Sequence, residues 1–68
     1  MDYKVRFFAN GREIAPVANS QFFGVTDEYI KAFIAGCVWG MYQKYKNPSA
    51  AAYEMSEDGS EILRHRFN

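Results

Sequence analysis

Sixty-eight residues, with eight basic and eight acidic side chains, make room for a single domain over residues 1–68. Their zero net charge gives no electrostatic ground for strong non-specific binding to nucleic acid or anionic lipid. An apolar content of 49% excludes a disordered chain, and a single cysteine excludes an intrachain disulfide. A domain this small buries only about 60% of its unfolded surface, so with neither disulfide nor metal-ligand spacing to brace it, association is the remaining common source of stability.

The first four residues, Met1-Asp2-Tyr3-Lys4, lack the basic stretch followed by an apolar run that marks a secretion signal. The uncharged stretch of the helix, Ala32 to Gln43, is twelve residues, short of the roughly 20 a membrane span requires. A cytoplasmic protein with no membrane partner is the expectation, and the lone Cys37 agrees with a reducing compartment.

Residues 3–9 alternate, with Tyr3, Val5 and Phe7 on one side and Lys4, Arg6 and Phe8 on the other, the pattern of a half-buried strand. Asn10-Gly11 follows. Both residues accept the positive φ of a type I′ turn, so the pair predicts a hairpin with Phe7 opposite Ile14 and Phe8 opposite Glu13. Pro16 has no N–H, which makes the second strand an edge strand or ends it near Ala15. The connection Asn19–Val25 is aromatic for a loop. Phe22 and Phe23 are expected to tuck under the helix that follows, with an exposed hydrophobic contact as the alternative.

That helix is predicted from Thr26 to Asn47. Thr26 can cap it, Asp27 and Glu28 suit the positive end of its dipole, and Val25 with Ile30 fits a hydrophobic staple. Lys44 and Lys46 followed by Asn47-Pro48 mark the stop. At 100° per residue, Ile30, Phe33, Ile34, Cys37, Val38, Met41 and Tyr45 form a broad core stripe. A second face carries Ala32, Gly36 and Gly40 at four-residue intervals, flanked by Tyr29 and Trp39, and a narrow arc holds charge at Glu28, Lys31 and Lys46. A helix apolar nearly all round is usually buried on more than one side. At about 1.5 Å per residue it would reach about 30 Å, so it must cross the sheet diagonally or project beyond it.

A second hairpin follows from Ser49. Asp58-Gly59 supplies its turn, and Ile62–Phe67 returns. A two-residue turn would pair Met55 with Ile62, whereas a three-residue loop with Gly59 in the left-handed region would pair Tyr53 with Leu63. The fold expected is α+β, in the order β-β-α-β-β, with an antiparallel sheet of about four strands and one long helix packed across it.

No catalytic constellation emerges. His65 is the only histidine, read as a surface strand residue near Arg64 and Arg66, with no Ser, Cys or Asp at a recognisable motif spacing. Cys37 falls mid-helix on the core stripe and reads as an inert small hydrophobe. Gly24, Gly36 and Gly40 match no phosphate-binding fingerprint. A non-enzyme without metal or cofactor is the expectation.

Three surfaces remain as candidates. Tyr29, Ala32, Gly36, Trp39, Gly40 and Gln43 form a helix face that a partner, or a second copy in a homodimer, could approach closely, since a glycine in a helix interior costs roughly 1 kcal/mol and here removes side chains from one strip. Glu54, Glu57, Asp58 and Glu61 could make an acidic tip for a basic partner groove, or be merely solvated. Lys4, Arg6, Phe8, Arg64 and Arg66 could form a basic, aromatic sheet face for nucleic acid, against which stand Glu13, Glu54 and Glu61.

In layout the chain resembles the small inhibitor proteins encoded by phages and mobile elements, anti-CRISPR proteins among them: tiny, neutral, aromatic-rich, hairpin-helix-hairpin and free of catalytic residues. The resemblance implies a module that blocks a host macromolecular complex by stoichiometric binding. It rests on layout over the whole chain, with no motif, so it assigns no functional position.

Overall fold

A computed structural model describes all residues, Met1–Asn68. The elements are β1 (Tyr3–Ala9), β2 (Arg12–Ile14), β3 (Gln21–Phe22), α1 (Asp27–Met41), β4 (Pro48–Met55) and β5 (Glu61–Phe67). The sheet is antiparallel with the order β2-β1-β4-β5, and β3 lies on the β2 side of β1. The α+β class is as the sequence predicts, but the sheet has five strands. The additional one, β3, bonds Tyr3 and Lys4 at the end of β1 that β2 leaves open. Two residues carry no alternation to read, so only the approach of the chain to β1 creates that strand.

The first hairpin has the predicted register, Phe7 opposite Ile14 and Phe8 opposite Glu13. Asn10 and Gly11 both sit at positive φ, 56° and 81°, as a type I′ turn demands. β2 stops at Ile14, two residues before Pro16. In the second hairpin Tyr53 lies opposite Leu63, and Gly59 at φ 87° identifies the longer of the two predicted loops. One further residue intrudes in β5: Ala52 pairs with His65 and Tyr53 with Leu63, so Arg64 is a bulge. A bulge turns the side chains beyond it to the opposite face.

α1 begins as predicted, with the Thr26 hydroxyl accepting from the Tyr29 N–H at 3.1 Å. It ends at Met41, six residues before the expected Asn47. The N–H groups of Lys44 and Tyr45 both turn back to the Met41 carbonyl, 2.9 and 2.8 Å, and Asn47 takes a left-handed φ of 48° to aim the chain into β4. Fifteen residues span about 22 Å, close to the length of β4 beneath, so the helix matches the sheet and does not overhang it. Lys44 and Lys46 therefore lie beyond the last turn.

The core lies between α1 and one sheet face. Tyr3, Val5 and Phe7 of β1 and Ala50 and Ala52 of β4 are buried against Ile30, Ile34, Val38 and Met41, with Phe33, Cys37 and Tyr45 half-buried at the margin. Ala50 and Ala52 leave no side chain beyond a methyl between helix and strand, which lets the helix settle low over β4. Phe22 joins the core, with its ring edge-on to Phe33 at 4.6 Å. Phe23 does not tuck under the helix as expected: it points out, 74% exposed. β3 fixes Phe22 on the core side, and alternation then sends its neighbour to solvent.

Candidate functional site

The side of α1 turned away from the sheet holds the predicted partner-binding residues together. Tyr29, Ala32, Gly36, Trp39, Gly40 and Gln43 are all exposed, with Trp39 67% and Tyr29 53% accessible. Neither aromatic is loose. The Trp39 ring lies 5.6 Å from Tyr42, itself tied through its hydroxyl to the Asn68 side chain at 2.6 Å. The Tyr29 ring lies edge-on to the buried Phe22 at 5.9 Å. The small-residue strip faces neither the protein's own sheet nor the Phe22–Phe23 segment. A Cβ built on Gly36 or Gly40 meets nothing within 4 Å.

Beside that strip runs an open groove of about 550 Å³, walled by Gly36, Cys37, Gly40 and Met41 on the helix and by Ala15–Ala18 of the β2–β3 connection, with Lys44 at its end. Burial pushes the Cys37 thiol above its ordinary pKa, which leaves it protonated and unreactive at neutral pH. The groove thus offers apolar surface and one cation, with no nucleophile or base.

The acidic residues of the second hairpin are not gathered at one tip. Glu54 pairs with Arg64 at 2.7 Å and Glu61 with Arg6 at 2.9 Å. The Asp58 carboxylate accepts from the hydroxyls of Ser56 and Ser60 and from the Ser60 N–H, bonds that hold it far below the usual carboxylate range. Glu57 alone has no such partner.

The basic sheet face is likewise rearranged. Lys4, Arg6 and Phe8 share the face opposite the helix, and Arg66 joins them through its register with Ala51. Arg6, however, lies over the Tyr53 ring at 5.7 Å, donating to both carboxylate oxygens of Glu61 and, at 2.9 Å, to Glu13. These carboxylates raise its pKa and occupy the donors a phosphate would need. Arg64, at the bulge, is drawn to Glu54, which pairs with Tyr3 on the helix side. Two of the four predicted cations are thus committed within the chain.

His65 corrects the sequence reading most clearly. It is no surface residue: register with Ala52 turns it toward the helix, its side chain is 19% exposed, and its Nε2 stands 3.4 Å from Asp27 Oδ1. The Tyr3 hydroxyl donates to that same carboxylate oxygen. Asp27 in the first turn of α1 therefore ties β1 and β5 to the helix start. The hydrogen bond from Tyr3, with His65 close by, lowers the Asp27 pKa. Burial, reinforced by that carboxylate, pushes the Tyr3 phenol up to about 12. Tyr3 is only 1% exposed, whereas the Asp27 side chain is 48% exposed, so the cluster is a clasp that joins the buried strand to the helix start at the surface. In the longer loop that the chain adopts, the Arg64 bulge is what brings His65 opposite Ala52; the two-residue turn would have placed it there without one.

The clasp has a testable pH signature. An unfolded phenol ionises near pH 10, whereas Tyr3 in the fold holds its proton to about 12. Above pH 10 the unfolded chain loses its proton first, so stability falls as pH rises through that window. Asp27 acts in the other direction, its contribution present above the unfolded carboxyl range and lost as pH falls below it. Tyr3→Phe is expected to cost about 1 kcal/mol at neutral pH for the lost hydrogen bond and to flatten the alkaline decline. Urea titrations of both chains across this range check it, and parallel declines would remove Tyr3 as the cause.

No helix is long and apolar enough to cross a membrane. Comparison with protein-family models, with curated proteins and with solved structures finds nothing that matches this chain.

Proposed function

We propose that this protein is a non-enzymatic binding module that acts stoichiometrically, through the outer face of α1, on a protein partner. The observation that carries the reading is Trp39, 67% exposed on a braced helix and bordered by two glycines that leave open space. A large aromatic exposed beside bare backbone is costly in water and is a usual centre of an interface. The groove next to it supplies apolar depth without reactive groups. Blocking a surface of a host macromolecular complex, as the small phage inhibitors do, is the role this reading assigns when the partner is a foreign protein.

Trp39→Ala tests it. Because Trp39 is 67% exposed on its own chain, the variant should melt within about 0.5 kcal/mol of the wild type at concentrations low enough that neither associates. Immobilised wild type should retain a protein, either a further copy of the chain or one from cell lysate, at a fixed molar ratio, and the variant should bind it at least tenfold more weakly. Equal retention by both, or none by the wild type, would overturn the proposal.

A further inference from the structure

We infer that the partner on this face is a second copy of the chain, its α1 packed antiparallel to the first about a two-fold axis beside Gly36. The inference rests on the binding face proposed above and adds its occupant and orientation. Charge is the first argument. α1 opens with Asp27 and Glu28 and is followed by Lys44 and Lys46. Glu28, Lys44 and Lys46 take part in no ion pair of their own chain. An antiparallel mate sets the acidic end of each helix beside the basic end of the other, twice over, and opposes the two helix dipoles favourably. A parallel mate would set acid against acid and lysine against lysine. Zero net charge leaves no long-range repulsion between copies.

Shape is the second argument. An isologous contact must be self-complementary. With the axis at Gly36, Ala32 of one copy faces Gly40 of the other, and Tyr29 faces Gln43. Each Trp39 comes to lie one turn along from the axis, over Ala32 and Gly36 of the other copy, so the largest side chain of the face meets its smallest. The space beside Gly36 and Gly40 is open to receive it. The exposed aromatics and the end charges carry the assignment, and the glycines only permit the approach.

Cysteine scanning in a Cys37→Ala background tests orientation directly. Ala32→Cys and Gly40→Cys proteins mixed under mild oxidation should give the mixed disulfide, distinguishable by mass, at least tenfold over either self-linked product. Gly36→Cys alone should link to itself, since both copies meet at the axis. The wild type should sediment at twice its 7.8 kDa chain mass at high concentration, and Trp39→Ala at the chain mass. Dominant self-linking by the Ala32→Cys and Gly40→Cys proteins would overturn the antiparallel arrangement. A wild type that stays monomeric would overturn self-association. If that monomer still loses a foreign protein on Trp39→Ala, the binding face stands and only the occupant is wrong; if it binds nothing, both readings fall.

Discussion

Replacing Phe7 with Ala is expected to unfold the protein at 37 °C. Phe7 is 1% exposed at the centre of the core, between Ile14 on β2 and Ala50 on β4 and beneath α1. Truncating a buried Phe typically costs 3–5 kcal/mol, through lost transfer energy and the cavity left behind. At roughly 0.05–0.15 kcal/mol per residue, a chain of this length has only about 3–10 kcal/mol in total. The neighbours cannot refill the space, because Ala50 and Ala52 are already the smallest side chains the strand can carry. Urea denaturation followed by circular dichroism, at one fixed protein concentration because self-association would contribute, measures the loss. A change under 1 kcal/mol would mean that Phe7 does not anchor the core.

Ala52→Leu should be the second most damaging change, for the opposite reason. Ala52 is fully buried on the helix side of β4, paired with Val5 and His65. Extra carbons there have nowhere to go except into α1, and overpacking of this kind costs about 1–3 kcal/mol. Lifting the helix start would also strain the contacts of Asp27 with Tyr3 and His65. Its neighbour Ala51 is just as buried but faces away from the helix, opposite Arg6 and Arg66, whose long side chains can move aside. Ala51→Leu should therefore cost visibly less. Equal losses at the two positions would show that the helix does not rest on Ala52.

Much of this architecture is legible locally. Asn10-Gly11 imposes a turn geometry that any flanking strands must follow, and with it the Phe7–Ile14 register. Thr26 and the two acids after it satisfy a helix start in any context, and Asp58-Gly59 marks a hairpin turn while leaving two loop lengths open. The apolar surplus on α1 is legible for the same reason, since azimuth around a helix is a local property. The α+β class follows from these periods alone.

Other features depend on groups far apart in the chain. β3 exists because Gln21 and Phe22 reach β1, and that contact decides that Phe22 is core and Phe23 is not. The helix stops where β4 must begin pairing with Ala9, a constraint from thirty-nine positions away in sequence that outweighs the helix-compatible residues 42–46. The Arg64 bulge separates Arg64 from Arg66, binds the former to Glu54, and turns His65 under the helix toward Asp27, thirty-eight positions earlier. Sequence by itself determined the two hairpins and the helix start, because turn chemistry and side-chain periodicity act over a few bonds. Only the tertiary structure decided which face each polar group reaches: a one-residue shift in strand pairing inverts every side chain beyond it, at an energy set by contacts that no local stretch contains.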